Sequence, residues 1–553
     1  MSSRLLGIAA LVGLVALAAF GLTRRLGASV PGAPRSVSQS ALSATAVQRA
    51  EAAITRMDLE EASKILESSS GAEAGRARAR LAIYRADCEG AAALLGTSQS
   101  SSAPGARELS AFAERCAGAT VGGHVVEDRA RGVWIRFQDR ADEVLASLLF
   151  DAVVRARLVI EADLGASLPR PLRIDLVRDL FSLAAVSGLP LEAAETTGTV
   201  AVARWGRVTM ISPRAMLRGY PWQDTMAHEI THLVLARATA DRAPLWLQEG
   251  VAKREETRWR APRPFDRDPE PALTAYRAQE SGNSVGVDRL GPSIAMLPSA
   301  DAAGIAFAEV TSFVEYWLER NGAAALPALL RDVRFAPDTE RALTSTSGLG
   351  LSDWQVLWRH ALEERFAKTP TTRGPASGDA GTNPRRVAQV QRLVELLFVG
   401  GFPGEARLRG APDLEGAPHA AALSFLVARA AYAAGDDDAA LLLRPLTELD
   451  GAHGGFLALR GRSVRQGTPA VEVSVGDPAS VSTPVPTSGS KADAEAYAAH
   501  ALALDPLLPE VACGGEPWPL GKGRLTPTGQ GPSQPARNKL CEHTRSLPVR
   551  GAE

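Results

Sequence analysis

The stretch 225-TMAHEITHLVLA-236 carries His228, Glu229 and His232 in the order H-E-x-x-H. Residues four positions apart lie on one face of a helix, so both imidazoles can reach a single Zn²⁺ ion. Glu229 lies one residue round the same turn, where its carboxylate can act as general base toward a metal-activated water. The pattern therefore predicts a catalytic metal helix. The alternative is an amphipathic helix with two solvated histidines.

The residues around the motif support a helix that packs against a core. Asp224 is a residue type that commonly caps a helix amino terminus. Met226, Ile230 and Leu233 recur at helical spacing on a second stripe. We expect this stripe to face inward and to hold the two histidines in place.

A second stretch, 244-PLWLQEGVA-252, follows the motif. Together the two stretches resemble the gluzincin type of zinc metallopeptidase, in particular its short peptidase MA-like domains, over roughly residues 121–368. In that family a glutamate within P-x-W-L-x-E-G is the third protein ligand, and Glu249 occupies that position. The resemblance implies Zn²⁺ held by His228, His232 and Glu249. It also implies Glu229 as general base in peptide-bond hydrolysis of protein or peptide substrates, with endopeptidase and aminopeptidase activity both open.

The chain departs from these relatives at two positions. Many relatives carry an acid one turn after the glutamate ligand, where it orients a zinc histidine, but this chain has Lys253. Support for the histidine must then come from another residue, and Glu255 or Glu256 could supply it. Relatives often carry a tyrosine near the zinc on a downstream helix, where this chain has Phe307. Two other tyrosines, both expected to be structural, are Tyr220 and Tyr316.

Two other functions stay open, and the departures at Lys253 and Phe307 favour only the first of them. In the first, the protein is a catalytically inactive peptidase-like scaffold whose helical repeats mediate protein–protein interaction in the cell envelope. In the second, it is a structural repeat protein whose H-E-x-x-H is accidental, which requires Glu249 and its surrounding sequence to be a coincidence as well.

A small sheet is predicted before the metal helix. Residues 124–137 alternate as two short strands around Arg131-Gly132, residues 142–163 form an amphipathic helix, and 171–177 form a strand. Residues 197–211 then form a hairpin that turns near Gly206. In the resembled family an edge strand binds extended substrate by strand addition, and the two candidates are Val200–Val202 and Val208–Met210. Three tryptophans are expected in the core, namely Trp246, Trp354 and Trp358.

The predicted fold class is α+β: a small mixed sheet with helices in a zincin-like domain, flanked by α-helical repeat-like regions and an N-terminal transmembrane helix. The helical regions alternate short helices with Gly/Ser breaks, as tetratricopeptide-like repeats do. The predicted divisions are a signal anchor or signal peptide (1–25), a linker (26–41), a helical repeat-like domain (42–118), the metallopeptidase-like domain (121–368), a linker (369–385), a second repeat-like domain (386–465), a linker (466–490), a repeat-like segment (491–512) and an irregular tail (513–553).

The apolar run 5–22 is flanked by arginines and is about as long as a bilayer is thick. It predicts a retained membrane anchor or a signal peptide, with the catalytic domain outside the cytoplasm. The four cysteines form two evenly spaced pairs, Cys88 with Cys116 and Cys513 with Cys541. Two disulfides in an exported protein would explain this placement, and the alternative is four unrelated thiols.

Composition narrows the class of partner. A net charge of −1 argues against a nucleic-acid partner, and 45% hydrophobic residues favour globular structure. We expect protein or peptide substrates at the metal site and protein partners on the concave surfaces that stacked helical repeats form.

Overall fold

The computed structural model describes residues 39–97, 103–215, 220–260, 270–367, 384–399, 401–416 and 421–434, with residues 266 and 436 and short pieces between 458 and 543. Helices make up 69% of the residues that the structure describes, and the only sheet within them has five strands. The expected α+β class is therefore wrong, because the described part of the chain is mostly helical. The strands are only four to six residues long, and helices precede and follow them along the chain. The expected span 5–22 lies outside the described residues, and no helix within them is long and apolar enough to cross a membrane.

The elements follow one another from the amino terminus. The strands are β1 (His124–Asp128), β2 (Val133–Phe137), β3 (Leu172–Val177), β4 (Ala201–Arg204) and β5 (Arg207–Ile211). The helices are α1 (Gln39–Thr55), α2 (Leu59–Glu67), α3 (Ala72–Tyr84), α4 (Cys88–Leu95), α5 (Ala106–Thr120), α6 (Ala146–Leu164), α7 (Leu180–Ser187), α8 (Leu191–Thr197), α9 (Trp222–Thr239), α10 (Leu245–Glu255), α11 (Pro271–Glu280), α12 (Ala300–Asn321), α13 (Ala325–Phe335), α14 (Thr339–Ser347), α15 (Leu351–Phe366), α16 (Pro384–Val399), α17 (Pro403–Gly416), α18 (Ala421–Ala434) and the short α19 (Pro509–Ala512). Short 3₁₀ turns occur at Arg140–Leu145, Pro213–Ala215 and Ile294–Met296.

The sheet has the order β1-β2-β3-β5-β4. Its central pairs, β2 with β3 and β3 with β5, are parallel, and the two outer hairpins are antiparallel. Both predicted hairpins are therefore confirmed. The segment Val208–Met210 lies in the inner strand β5 and is fully buried, so it is not the open edge. The open edge beside the metal helix is β4.

The core lies between the sheet and the helices that surround α9. Helix α9 packs against α6, α10 and α13 and touches β4 and β5. Trp246 is buried on α10 and meets Phe313 of α12 edge-on, with 5.4 Å between ring centroids. Trp354 and Trp358 are buried as well, and their indole N–H groups donate to serine hydroxyls. All three tryptophans therefore belong to the core, as predicted.

The N-terminal helices are joined to the sheet. Arg207 of β5 is fully buried and donates to the carbonyl of Ile83 in α3 at 2.7 Å, while its Nε lies 3.0 Å from the Asp175 carboxylate. The predicted disulfide between Cys88 and Cys116 is present within this region. In the second predicted pair, Cys513 lies outside the described residues.

The C-terminal helices α16, α17 and α18 pack around a cluster of their own, which contains Val394, Leu423 and Val427. The predicted repeat-like region 386–465 is described only in this first part. Its remaining part and most of the segment 491–512 lie outside the described residues.

Candidate metal centre

Helix α9 places the H-E-x-x-H residues in the interior of the protein. The helix begins at Trp222 after Pro221, so Asp224 lies in its first turn and is not its cap as expected. Asp224 instead accepts hydrogen bonds from the Trp259 indole at 3.0 Å and from the Arg260 guanidinium at 2.6 Å. The expected inward stripe is confirmed, because Met226, Ile230 and Leu233 are all buried. The same helix carries the two histidines.

Helix α10 brings Glu249 to the histidines. The next residue, Gly250, lies where α10 touches α12: an added Cβ would come within 2.6 Å of the Val310 carbonyl oxygen and 2.5 Å of a Val314 methyl carbon. No larger residue fits this contact without moving backbone. The glycine of the E-G pair therefore allows the close helix approach that fixes the position of Glu249.

Three ligand atoms converge between α9 and α10. The Nε2 atoms of His228 and His232 lie 3.1 Å apart, and each lies 3.5 Å from Oε2 of Glu249. A tetrahedral ion with Zn–N and Zn–O bonds of about 2.0–2.1 Å separates its ligand atoms by about 3.3 Å. The three donors therefore fit one tetrahedral ion. The set of two imidazoles and one carboxylate is of the kind that leaves a fourth position for water or substrate.

Glu256 holds the far side of the His228 ring. Its Oε2 lies 3.3 Å from Nδ1 of His228, and its Oε1 lies 2.6 Å from the ammonium of Lys253. A carboxylate only accepts hydrogen bonds, so Nδ1 carries a hydrogen toward Glu256, and Nε2 is the ring nitrogen that a metal ion would take. Of the two carboxylates that the sequence left open, Glu256 takes this position. Glu255 is buried and pairs with Arg254 and Arg258.

The charges of the cluster reinforce one another. Burial opposes the charged form of His228, but hydrogen bonds to Glu249 and Glu256 outweigh it and raise the pKa of the imidazole to about 9. Burial also opposes ionisation of Glu249, yet His232 and His228 hold its pKa well below the usual range. Without a metal, the carboxylate and the protonated imidazole thus balance each other's charge.

Glu229 lies between the histidines and the edge strand. Burial raises the pKa of its carboxyl, while His232, His228 and the nearby backbone of Ala203 oppose the shift. The hairpin turn contains only Trp205 and Gly206, both with positive φ, and the carbonyl of Val200 accepts from the N–H of Ile211. Alternate residues of β4 therefore face β5, and the backbone groups of Ala201 and Ala203 point to the open edge.

A cleft of about 630 Å³ contains the cluster. Strand β4 and residues 292–295 line it, as do the metal-cluster residues, Lys253, Glu256 and Phe307. The Phe307 ring meets the His228 ring edge-on, with 6.1 Å between ring centroids, so this side of the histidine has an aromatic ring without a hydroxyl. Tyr220 is buried with its hydroxyl on the Ile211 carbonyl, and Tyr316 packs against Trp354. Neither expected structural tyrosine lines the cleft.

The sequence did not predict the part of the cleft that the N-terminal helices line. Arg80 and Tyr84 on α3, together with Trp205, line its far end. Residues of α3 precede the metal motif by more than a hundred positions, and no spacing pattern connects the two. The only sequence signal near this contact is the glycine at the predicted turn. In the structure, an added Cβ on Gly206 would come within 2.8 Å of the Tyr84 ring.

Comparison with protein-family models, with curated proteins and with solved structures gives no match to this chain.

Proposed function

We propose that the protein is a zinc-dependent peptidase in which His228, His232 and Glu249 hold the ion. The observation that carries this proposal is the convergence of their three ligand atoms within 4.8 Å of one another. Glu229 lies beside this cluster, and an open strand edge runs along the same cleft. The proposal thus rests on a metal-ligand set, a neighbouring base and a surface that fits an extended peptide.

The bound zinc ion would supply an acidic water and would polarise the scissile carbonyl. The protein's own residues supply the rest. The Glu229 carboxylate accepts the proton of the attacking water and returns it to the leaving amine. The outward-facing N–H and C=O groups at the edge of β4 pair with the substrate backbone and hold it extended beside the cluster. The Glu256 carboxylate keeps the His228 ring oriented throughout.

The disulfide between Cys88 and Cys116 supports a location in an oxidising compartment outside the cytoplasm. The substrate class that fits best is an extended protein or peptide segment, because the edge of β4 pairs with backbone and not with a particular side chain. The helical regions on either side of the central domain are the expected sites for protein partners.

An inactive peptidase-like scaffold is the second candidate, and Phe307 is the observation that favours it. The aromatic ring beside His228 has no hydroxyl to stabilise a developing oxyanion. In that case the protein would bind zinc and extended polypeptide but would cleave neither peptides nor proteins.

Zinc analysis and a cleavage assay on the same preparation test the proposal. We expect one zinc per chain and cleavage of an unbiased peptide library, with activity lost after chelation and restored by added zinc. One zinc per chain without cleavage would favour the scaffold. A chain that binds no zinc would contradict both functions.

A further inference from the structure

A second pocket lies beside the cleft, at the tip of the β4–β5 hairpin. It has a volume of about 310 Å³ and lies between α3, α5 and the hairpin. We name it the basic pocket and define it by four arginines and two aromatic residues: Arg76, Arg80, Arg115, Arg204, Phe112 and Trp205. Arg80, Arg204 and Trp205 line both the basic pocket and the metal cleft. The two cavities therefore meet along the end of the edge strand.

The acids near the basic pocket are fewer than its arginines. Glu108 is the acid in its lining. Glu51 pairs with Arg76 at 2.9 Å and with Arg80, which neutralises part of their charge. Asp241 lies on the cleft side of Arg80. Positive charge therefore remains at the hairpin tip.

This positive charge is concentrated on Arg115 and Arg204. Both side chains are exposed, and within the described residues neither forms an ion pair with a carboxylate. The guanidinium of Arg204 donates from Nη1 to the carbonyls of Ser187 and Gly188, at 3.4 and 3.2 Å, and lies over the Trp205 ring. These contacts fix the position of the guanidinium and leave its charge uncompensated by an acid. A guanidinium held in this way is suited to pair with an incoming carboxylate.

The hairpin tip is held rigidly. The indole N–H of Trp205 donates to the Ser187 carbonyl at 3.1 Å, and its ring lies 4.9 Å from the ring of Phe112. Gly206 has positive φ and packs against Tyr84. The arginines therefore present their charge at a fixed distance from the metal cluster.

That distance corresponds to only a few residues of an extended peptide. The backbone of Ala203 lies close to the Glu229 carboxylate, and Arg204 is the next residue along the strand. A strand advances about 3.3 Å per residue. A peptide paired with β4 would thus bring side chains about two to four residues from the metal cluster into the basic pocket.

We infer that the basic pocket is a specificity site for acidic side chains or a terminal carboxylate of the peptide bound along β4. This inference rests on the proposed peptidase function, because it names the substrate class of the same cleft. A peptide fits better than a nucleic acid, since the adjoining edge offers backbone pairing and the chain as a whole has a net charge of −1. The N-terminal helices then form part of the substrate site and do more than flank it.

A binding experiment without turnover tests the inference. The zinc-loaded Glu229→Gln protein is titrated with two labelled peptides of equal length, read by fluorescence anisotropy. One peptide carries glutamates at both ends of a central apolar stretch, because an edge strand accepts a peptide in either direction, and the other carries glutamines there. We expect the acidic peptide to bind about three- to tenfold more tightly, with the difference shrinking as salt is added.

Arginine variants locate the effect. In the background of Glu229→Gln, the pair Arg115→Gln and Arg204→Gln should remove the preference for the acidic peptide. The matched control Arg320→Gln, an exposed arginine on α12 that packs over Tyr316, should keep it. Equal affinity for both peptides, or a preference that survives the double substitution, would overturn the inference. So would a single-stranded oligonucleotide of equal charge that binds the basic pocket more tightly than the acidic peptide.

The same two peptides separate this inference from the proposed function. If the wild-type protein binds the acidic peptide preferentially but cleaves neither, the peptidase function fails while the specificity site stands. If it cleaves both at equal rates with equal affinity, the peptidase function stands and the specificity site is wrong.

Discussion

The two sides of the metal cluster differ in how firmly they hold their histidine. On the His228 side, Nδ1 of the ring lies 3.3 Å from Glu256, whose other oxygen pairs with Lys253. On the other side, no carboxylate within the described residues pairs with Nδ1 of His232. His228 is also the more buried ring, with 11% of its side chain exposed against 15%. His228 is therefore oriented by the Glu256 carboxylate, which Lys253 holds in turn, whereas His232 is oriented chiefly by its position on the helix.

The residues after Glu249 explain this asymmetry. The position one turn after Glu249 is Lys253, which cannot accept a hydrogen bond from an imidazole. Lys253 instead pairs with Glu256, which lies one turn further along and reaches His228. Lys253 thus stabilises the Glu256 carboxylate, which orients the His228 ring. Substitutions on the two sides of the cluster should have unequal effects.

The largest effect is expected from removing either histidine. His228→Ala and His232→Ala should each weaken zinc binding by about 100-fold or more, since each removes one of only three protein ligands. His228→Ala should be the weaker binder, because it removes the oriented ligand. Chelator-buffered zinc titration measures both variants, with His360→Ala as control because His360 is exposed and pairs with Glu364. Unchanged zinc content in either variant would rule out the metal site.

The next effect concerns Glu256. Glu256→Gln keeps the size of the side chain but removes the charge that orients His228, and we expect zinc affinity to fall by about 10–100-fold. Glu256→Gln should also lower the pKa of His228, so that protons compete less with zinc for the ring. The titration is therefore carried out at a pH above the pKa of His228, where this change cannot mask the loss of zinc affinity. Glu255→Gln is the matched control on the same helix. Its carboxylate pairs with Arg258 at 3.2 Å, so stability can change while zinc affinity does not. Equal losses of zinc affinity in Glu256→Gln and Glu255→Gln would contradict the claim that Glu256 specifically orients His228.

A pH dependence follows from His228. In the metal-free protein its pKa is raised to about 9, so below that pH the imidazole is protonated and the proton competes with zinc. Zinc affinity should therefore rise about tenfold per pH unit up to this pKa and level off above it. Calorimetry in buffers of different ionisation enthalpy should detect about one proton released per zinc at neutral pH. A flat pH profile would show that Glu249 and Glu256 do not charge His228.

The smallest effect is expected for Lys253. Its ammonium is one-third exposed, so its pairing with Glu256 is partly screened by solvent. Lys253→Met should reduce zinc affinity only about two- to fivefold. Combining it with Glu256→Gln should add nothing further, because the lysine acts through the carboxylate. Additive losses in the double variant would mean that Lys253 acts on the metal site independently.

The sequence predicted the parts of the site that depend on one helix or one turn. Helical spacing alone brings His228 and His232 to one face, and the resemblance pointed to Glu249. The hairpins were recognisable because strand alternation and glycine turns are local signals.

Features that depend on contacts between distant elements were not predictable. The choice between Glu255 and Glu256 depends on how α10 is rotated against α9, and both residues are compatible with the same helical pattern. The far wall of the cleft depends on α3 packing against the hairpin tip. The fold class was wrong because short strands produce clear alternation yet contribute few residues, while most of the described residues are helical.

The most direct test compares the wild-type protein with Glu229→Gln at equal zinc occupancy. Glu229 is next to a ligand but is not one of the three residues of the cluster, so the variant should still bind one zinc per chain. Its kcat for a peptide that the wild type cleaves should fall by about 10²- to 10⁴-fold, the usual contribution of a general base. Full zinc occupancy with that loss is the result we predict. A zinc-loaded Glu229→Gln protein that cleaves as fast as the wild type would contradict the proposed mechanism.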